Sequence, residues 1–391
     1  GIGKLDELKL MCEELGAGVV IFDHELSPSQ IANIEEHIGR KVIDRSELIL
    51  DIFAGRATTH EAKLQVEMAQ LEYTYPRLKA MWDHLERIVG VGGIGGIGTR
   101  GPGEQQLEID RRLVQNKVVQ LRRELREIQE RKSREVRARN LDYFTVGIVG
   151  YTNAGKSTLF NALTAGGAFA NDQLFATLVS RTREWNLGGG LSVMLSDTVG
   201  FVRDLPHNLI ASFKATLEEA THAHLLLIVV DVSDPAAELQ YDTVNSTLDE
   251  LFDATREMEE DAGREWEPPE RIVLLNKADR LGDNAEVLIW KGKVPGSIPF
   301  SAIQAGEGGL GHEELARRVR DLVRGEVHEL VLTFPLSEAK AITRVERQAE
   351  VLNREYEDGV VRIHVRIGER QLARLRASGA RMTISETSFE A

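Results

Sequence analysis

The run Gly150-Tyr151-Thr152-Asn153-Ala154-Gly155-Lys156-Ser157 carries the clearest chemistry in the chain. An apolar stretch, 144–149, precedes it and a helix-forming stretch, 158–163, follows it. Strand, glycine-rich loop and helix in that order make G-x-x-x-x-G-K-S a phosphate cradle. The glycines let backbone N–H groups turn toward phosphate oxygens, and the helix N-terminus adds the positive end of its dipole. In such a loop Lys156 reaches the outer phosphates and the Ser157 hydroxyl ligates Mg²⁺.

Three later segments select the nucleotide. Asp197-Thr198-Val199-Gly200 closes an apolar run with D-x-x-G. Asp197 there holds Mg²⁺ through water, and the Gly200 N–H meets a γ-phosphate. Asn276-Lys277-Ala278-Asp279 closes the next run with N-K-x-D. The Asp279 carboxylate can accept the N1–H and N2 amino pair of guanine. Adenine presents no such pair, so the buried carboxylate would face it unpaired. Asn276 braces this loop, and the Lys277 stem lies over the base. Ser301-Ala302-Ile303 follows a third apolar edge and resembles the segment whose backbone touches the guanine oxygen. Strand ends at the switch point of an open α/β sheet are where ligands bind.

Phe175-Ala176-Thr177-Leu178-Val179 lies between the phosphate loop and D-x-x-G. A threonine here completes the Mg²⁺ shell when γ-phosphate is bound. Thr177 is the expected residue; Thr182 reads instead as a strand residue leading into Trp185. The expected ligands are GTP and GDP with Mg²⁺. The catalytic set is Lys156, Thr177 and Gly200, and the metal set is Ser157 and Thr177, with Asp197 acting through water. Phe201 stands where many GTPases carry the glutamine that orients the attacking water, and a phenyl ring has no hydrogen bond to give. Slow turnover by the isolated protein follows, with a partner supplying or ordering what is missing.

The elements that carry these loops form an α/β P-loop GTPase domain over 141–325. Its run 225–231 is apolar throughout, as a parallel strand covered on both faces should be. Ahead of it, 60–88 reads as a helix with Leu64, Met68, Leu71, Tyr75, Leu78, Trp82 and Leu85 on a heptad seam, interrupted at Pro76. A second helix, 104–139, places Val114, Val118, Leu121, Leu125 and Ile128 on a matching seam. Together they predict a long antiparallel helical hairpin, 58–140, on an N-terminal α/β subdomain, 1–57. The connector 89–103 has eight glycines in fifteen residues, predicting a mobile tip loop.

The second helix opposes the charge of the rest. Between 111 and 139 it carries eleven Lys or Arg and four Glu, a net +7 against −14 for the whole chain. A basic helix beside a glycine-rich tip carrying Arg100 fits insertion into structured RNA. The other reading is a solvated coiled-coil surface, its cations paired with Glu61, Glu67 and Glu72.

Several of these motifs together resemble the HflX-type GTPases. They are Ile97-Gly98-Thr99-Arg100-Gly101-Pro102-Gly103-Glu104, the segment 62–67, the phosphate loop, Phe175-Ala176-Thr177-Leu178 and the stretch 197–207. The resemblance spans residues 3 to about 325. It implies a factor that binds the large (50S) ribosomal subunit, with the hairpin tip entering the peptidyl-transferase region and GTP-bound protein splitting stalled or idle ribosomes. It also implies a link, in some members, to ATP hydrolysis and RNA unwinding. One departure stands out: Val179-Ser180 replaces the Asp-Pro of related sequences, which bears on the hinge of the threonine segment. The chain also opens inside what resembles the family's first motif, so the N-terminal sheet is expected to lack its first strand and helix.

In the N-terminal part, 5–15 reads as a helix, 19–23 and 41–44 as strands, and helices start at Ser27-Pro28 and Glu47. Asp23 and Asp44 read as capping or loop residues. The segment 249–270 holds ten acidic and two basic residues and reads as a solvated helix end. A small α+β domain, 326–391, is expected to hold strands at 330–334 and 361–367 around a long helix, 337–357, with a frayed tail from 379. The alternation of Val361, Ile363, Val365 and Ile367 with Arg362, His364 and Arg366 marks a half-buried strand.

Composition fits a cytoplasmic, monomeric factor. A single cysteine, Cys12, rules out an internal disulfide. No stretch is apolar over membrane-spanning length. Two other functions fit a phosphate loop. An ATP-driven RNA remodeller is opposed by Asp279, and a small-molecule kinase by the pairing of D-x-x-G with N-K-x-D and the lack of a lid.

Overall fold

The computed structural model describes residues 1–91, 102–164, 181–188, 191–198, 200–201, 219–283, 285–304, 308–325, 327–357 and 359–386, with the backbone alone at 76–91, 102–111, 141–142, 347–348, 370, 374, 377 and 386. They fall in two compact units, one within 1–132 and one within 133–203 and 216–391.

The first unit opens with helix α1 (Ile2–Leu15), strand β1 (Val19–Phe22), helix α2 (Pro28–Ile38), strand β2 (Lys41–Asp44) and helix α3 (Arg45–Arg56). Ser27 and Gln30 form a capping box that starts α2, with Pro28 in its first turn. Asp44 caps α3 by accepting from the Glu47 N–H at 2.9 Å, and it also accepts from the Tyr73 hydroxyl at 2.5 Å. Asp23 instead pairs with Arg45 at 2.7 Å. β1 and β2 pair in parallel as a two-stranded sheet.

Two long helices follow, α4 (His60–Val91) and α5 (Pro102–Asp142). α4 runs on through Pro76 as one helix. Leu64 and Met68 of α4 bury against Leu121 and Leu125 of α5, with Leu71, Val118 and Ile128 beside them. The seam is flanked by Lys132–Glu61 at 2.8 Å, Arg122–Glu72 at 3.0 Å and Lys117–Glu67 at 3.2 Å. From Glu61–Lys132 to Glu72–Arg122 the contacts climb α4 while descending α5, so these described stretches run antiparallel. Leu78, Trp82 and Leu85 lie on α4 with their side chains undescribed, and the connector's residues 92–101 lie outside the described residues.

The second unit holds a six-stranded sheet in the order β4-β5-β3-β6-β7-β8. These are β3 (Thr145–Gly150), β4 (Arg181–Gly188), β5 (Leu191–Asp197), β6 (Leu225–Asp231), β7 (Glu270–Asn276) and β8 (Ile298–Pro299). Only β4 is antiparallel. Every residue of β6 is buried, as its all-apolar run requires. Helices α6 (Lys156–Leu163), α7 (Ala237–Asp261), α8 (Ala285–Lys293) and α9 (His312–Arg324) connect the strands. Leu159 and Phe160 of α6, Leu315 and Val319 of α9, and Ile148, Leu195 and Leu227 of the sheet share one core. Thr182 lies in β4 opposite Ser196, as a strand residue.

A four-stranded antiparallel sheet, order β10-β11-β9-β12, closes the chain. It comprises β9 (Val327–Pro335), α10 (Ala339–Gln348), β10 (Glu350–Glu357), β11 (Val360–Gly368), α11 (Glu369–Ala377) and β12 (Thr383–Glu386). Two expectations fail here. The helix expected over 337–357 ends at Gln348, and 350–357 instead pairs antiparallel with β11. Gly359, at φ 83°, supplies the left-handed residue that reverses the chain, and Asp358-Gly359 is a hairpin sequence. The tail expected from 379 contains β12, paired with β9. β11 follows its alternation: Val361, Ile363, Val365 and Ile367 are buried, and Arg362 and Arg366 pair outward with Glu357, Glu329 and Glu350.

One carboxylate in the acidic stretch is not solvated. Glu259 of α7 is 4 % exposed and pairs with Arg264, with Arg137 at 2.7 Å and with His222 at 3.6 Å. The Arg264 hydrogen bond holds its carboxyl below the ordinary value of 4.5, against desolvation, with help from the Arg137 charge. A depressed carboxyl contributes stability that is complete above pH 4.5 and lost as pH falls below it. Both arginines are partly exposed, so solvent screens the pairs. Glu259→Gln is expected to cost about 1 kcal/mol at pH 7, a fall of about 2–4 °C in Tm. The deficit should shrink below pH 4.5 when Tm is followed by circular dichroism across pH.

Candidate nucleotide site

The phosphate loop joins β3 to α6. Gly150 has φ 153° and Gly155 has φ 97°, and neither has room for a side chain. A Cβ at Gly150 would lie 2.4 Å from the Val229 carbonyl oxygen, and one at Gly155 would lie 2.3 Å from Asn276 Nδ2. Asn153 also takes a left-handed conformation, φ 63°. Lys156 is buried and its ammonium donates to the Tyr151 carbonyl at 2.7 Å. Burial pushes its pKa down to about 8, although the Asp197 charge opposes the shift. A buried cation at the head of a helix, bonded to one neutral carbonyl, gains more from a phosphate than from any group now touching it.

β5 delivers Asp197 to the same place. The Ser157 hydroxyl donates to Asp197 Oδ2 at 2.9 Å, and Asp197 is 1 % exposed. The two residues expected to serve Mg²⁺, directly and through water, therefore meet. Hard oxygen donors with few protein ligands suit Mg²⁺, which keeps waters and takes the rest of its shell from substrate phosphates. The Thr198 hydroxyl donates to the Ile148 carbonyl at 2.7 Å and is buried. Gly200 sits against the loop: a Cβ there would lie 2.8 Å from Lys156 Nζ and 3.1 Å from Thr152 Cα. Phe201 is tied to the loop through its main chain. Its N–H donates to the Gly150 carbonyl at 3.0 Å, and its carbonyl accepts from the Thr152 N–H at 2.8 Å. Its side chain is 3 % exposed. Phe175, Ala176, Thr177, Leu178, Val179 and Val199 lie outside the described residues.

β7 and β8 bring the base-selecting segments to the loop. Asn276 is buried; its Nδ2 donates to the Ala154 carbonyl at 2.7 Å and its Oδ1 accepts from the Ala302 N–H at 3.0 Å. Lys277, with φ 61°, donates to the Asn153 carbonyl at 3.0 Å. The Ala278 N–H donates to the Phe300 carbonyl at 3.2 Å, and the Ser301 N–H to the Leu310 carbonyl at 3.2 Å. Asp279 and Ile303 are exposed, so the carboxylate expected to be buried stands open to a ligand. His312 of α9 stacks on Phe300 at 4.5 Å between centroids, with Nε2 3.3 Å from the Ser301 carbonyl. Burial holds its imidazole below the ordinary value.

Three family models match the chain: "GTP-binding GTPase N-terminal" over 1–54, "GTP-binding GTPase Middle Region" over 56–139 and "50S ribosome-binding GTPase" over 145–277. The GTPase HflX of Escherichia coli K12 is 42% identical over 371 residues, covering 94% of this chain and 82% of its own. The chain belongs to the HflX family of GTPases. It is a GTP hydrolase built on a P-loop domain of mixed α/β structure. Other HflX relatives are similarly close. That of Magnetococcus marinus is 40% identical, over 92% of this chain and 78% of its own. That of Lacrimispora saccharolytica is 41% identical, over 92% and 80%.

Sequence reasoning overlooks two features of this HflX-family site. Asp231, the last residue of β6, holds Lys277 with Oδ2 2.6 Å from its Nζ. An acid ending an all-apolar strand beside N-K-x-D is the signal that could have found it. Arg139 of α5 donates to the Thr182 hydroxyl at 3.0 Å and lies 3.8 Å from Glu219, and Thr182 is 3.1 Å from the Ser196 hydroxyl. The pattern of basic residues along α5 gave no hint of that cluster.

The depressed Lys156 pKa has a consequence for binding. Phosphate favours the charged ammonium, so nucleotide binding should raise this pKa from about 8 and take up a proton at higher pH. GDP titrated calorimetrically in buffers of different ionisation enthalpy is expected to show little proton uptake from Lys156 at pH 7 and uptake approaching one proton near pH 9. Affinity should fall by up to about tenfold per pH unit once above the free pKa. Equal uptake at both pH values would contradict the assignment.

Proposed function

We propose that this HflX-family GTPase binds the large (50S) ribosomal subunit and uses GTP binding and hydrolysis to remodel or split ribosomes, in rescue, recycling or biogenesis. The observation that carries the reading is one helix of 41 residues, basic from 111 to 139, whose last turns bond to the GTPase domain. At 1.5 Å per residue α5 is about 60 Å long, a reach suited to a ribosomal cleft. The family that matches 145–277, the 50S ribosome-binding GTPases, is named for the same subunit.

The proposed domains are the N-terminal α/β subdomain 1–57, the hairpin 58–140 with tip loop 89–103, the GTPase domain 141–325 and the α+β domain 326–391. The cations of α5 divide between two tasks. Lys117, Arg122 and Lys132 pair with α4, the coiled-coil reading of those residues. Arg126 and Arg134 are exposed and carry no ion pair among the described residues. These two, with the tip loop, are the proposed rRNA contacts. No described helix is long and apolar enough to cross a membrane. A cytoplasmic monomer is the proposed form.

In the nucleotide site Lys156 binds the outer phosphates, and residues 150–157 cradle them with backbone N–H groups. Asn276 and Lys277 hold the base loop, Asp279 reads guanine, and 301–303 meet the guanine oxygen. Ser157, Thr177 and Asp197 would hold Mg²⁺, which when bound neutralises charge on the phosphates. Gly200 offers its N–H to the γ-phosphate. Phe201, with a buried ring and a main chain bonded to the loop, positions no water. Hydrolysis therefore waits on a group that the ribosome supplies or orders.

GTP turnover alone is expected to be slow and to rise at least tenfold with purified 50S subunits, while ATP turnover stays unstimulated. Arg126→Glu with Arg134→Glu should weaken subunit binding and lower its salt dependence, leaving GDP affinity unchanged. Asp279→Asn should abolish the preference for GTP over ATP. Fast turnover without subunits, or stimulation of ATP as strong as of GTP, would overturn the reading.

A further inference from the structure

We infer that Asp231 is a positioning residue for the guanine nucleotide, fixing the Lys277 ammonium so that the base loop and the phosphate loop keep one register. The inference rests on reading 276–279 as the base loop. Asp231 closes β6, which pairs with β3 on one side and β7 on the other. Those neighbours carry the phosphate loop and the N-K-x-D loop at their ends. The Asp231 carboxylate is held on both oxygens. Oδ2 lies 2.6 Å from Lys277 Nζ, and Oδ1 accepts from the Ser233 N–H at 3.1 Å and the Ser233 hydroxyl at 2.6 Å. The pair is largely buried, with both side chains near one-seventh exposed or less. An ion pair so placed is only weakly screened by salt.

The backbone points the same way. Among the described residues, Asn153 and Lys277 are the non-glycine residues with positive φ, 63° and 61°. They are joined: Lys277 Nζ donates to the Asn153 carbonyl at 3.0 Å. Left-handed conformations at non-glycine residues persist where surrounding bonds over-determine them, and they gather at ligand clamps. Lys277 is therefore fixed from two sides, by a carboxylate at the end of one strand and by a carbonyl of the phosphate loop. Its stem is stretched across the gap between the two loops. Without the carboxylate the ammonium keeps only a neutral carbonyl, and water competes for a long, flexible side chain. The stem then leaves the base, and Asp279, two residues on, loses its fixed distance to the phosphate loop.

The test is release of a fluorescent GDP analogue by stopped flow from the full chain. Asp231→Asn is expected to speed release about 10-fold to 100-fold, the worth of a hydrogen bond to a charged group. Lys277→Met keeps the stem and removes the ammonium. The double variant should then release no faster than Lys277→Met alone, because the carboxylate acts only through that ammonium. Rates that multiply, or a wild-type rate in folded Asp231→Asn, overturn the proposal. If Asp231→Asn does not fold, Ser233→Ala carries the test: it removes the hydroxyl bond to Oδ1 and should speed release several-fold, and a wild-type rate there overturns the proposal equally. Asp279→Asn, measured alongside, separates the two readings. Unchanged guanine preference in Asp279→Asn defeats the base-loop assignment itself. Lost preference there, with unchanged release from Asp231→Asn, defeats only the role of Asp231.

Discussion

The buried carboxamide of Asn276 holds three strand ends together. Its Nδ2 bonds the phosphate loop at Ala154, and its Oδ1 bonds the 301–303 segment at Ala302. A carboxamide offers both a donor and an acceptor, and burial makes each unmade bond expensive. The side chain also dictates its surroundings. Gly155 must be glycine because Asn276 Nδ2 lies where a Cβ would stand, 2.3 Å away. The phosphate loop, the base loop and the last strand are therefore not three independent sites. Moving one moves the others, and the ordering of β3, β6, β7 and β8 in a single parallel sheet is what lets one amide reach all of them.

The same economy governs the phosphate groups. Within the cradle the protein's own carbonyls meet two of the donors: Lys156 donates to the Tyr151 carbonyl, and the Thr152 N–H to the Phe201 carbonyl. A nucleotide must displace or share these bonds, so its affinity is a difference between phosphate contacts and internal ones. For Lys156 that difference favours phosphate, because burial has already pushed the ammonium toward losing its charge. For Phe201 the main-chain bonds hold the residue after Gly200 against the loop, whatever its side chain. A glutamine in its place could reach a water; a buried ring cannot. The proposed dependence on a partner follows from this one side-chain identity.

The sequence was legible where periodicity or chemistry was local. β6 declared itself by an unbroken apolar run and β11 by alternation, and the spaced residues of 150–157 and 276–279 do come together, through Asn276 and Lys277. The apolar seam between α4 and α5 was legible over its described residues, and Glu61, Glu67 and Glu72 are partners of α5 as the alternative, coiled-coil reading had them. Where contacts were non-local, the reading failed. Residues 350–357 contain helix-favouring Glu, Leu and Arg, and only pairing with β11 makes them a strand. Thr383–Glu386 looks like a tail until β9 offers an edge. Glu259 looks like one more surface carboxylate, and only the fold brings Arg137, Arg264 and His222 around it. Asp231 escaped because its partner is 46 residues away in sequence and one strand away in space.

Charge along α5 is best understood by what each cation faces. A chain with net charge −14 repels RNA as a whole, so the proposed RNA contact requires a locally positive surface within reach of the phosphates. Near the acidic face of α4, cations form ion pairs and contribute little to such a field. At the helix C-terminus, Arg137 and Arg139 are committed to Glu259, Glu219 and Thr182. That end is therefore an anchor on the GTPase domain. It meets Thr182, which in turn bonds Ser196, immediately before Asp197. What remains for the proposed RNA contact is the cations that face neither partner, Arg126 and Arg134. One continuous helix thus carries the proposed RNA contact at one level and bonds beside the nucleotide loops at another.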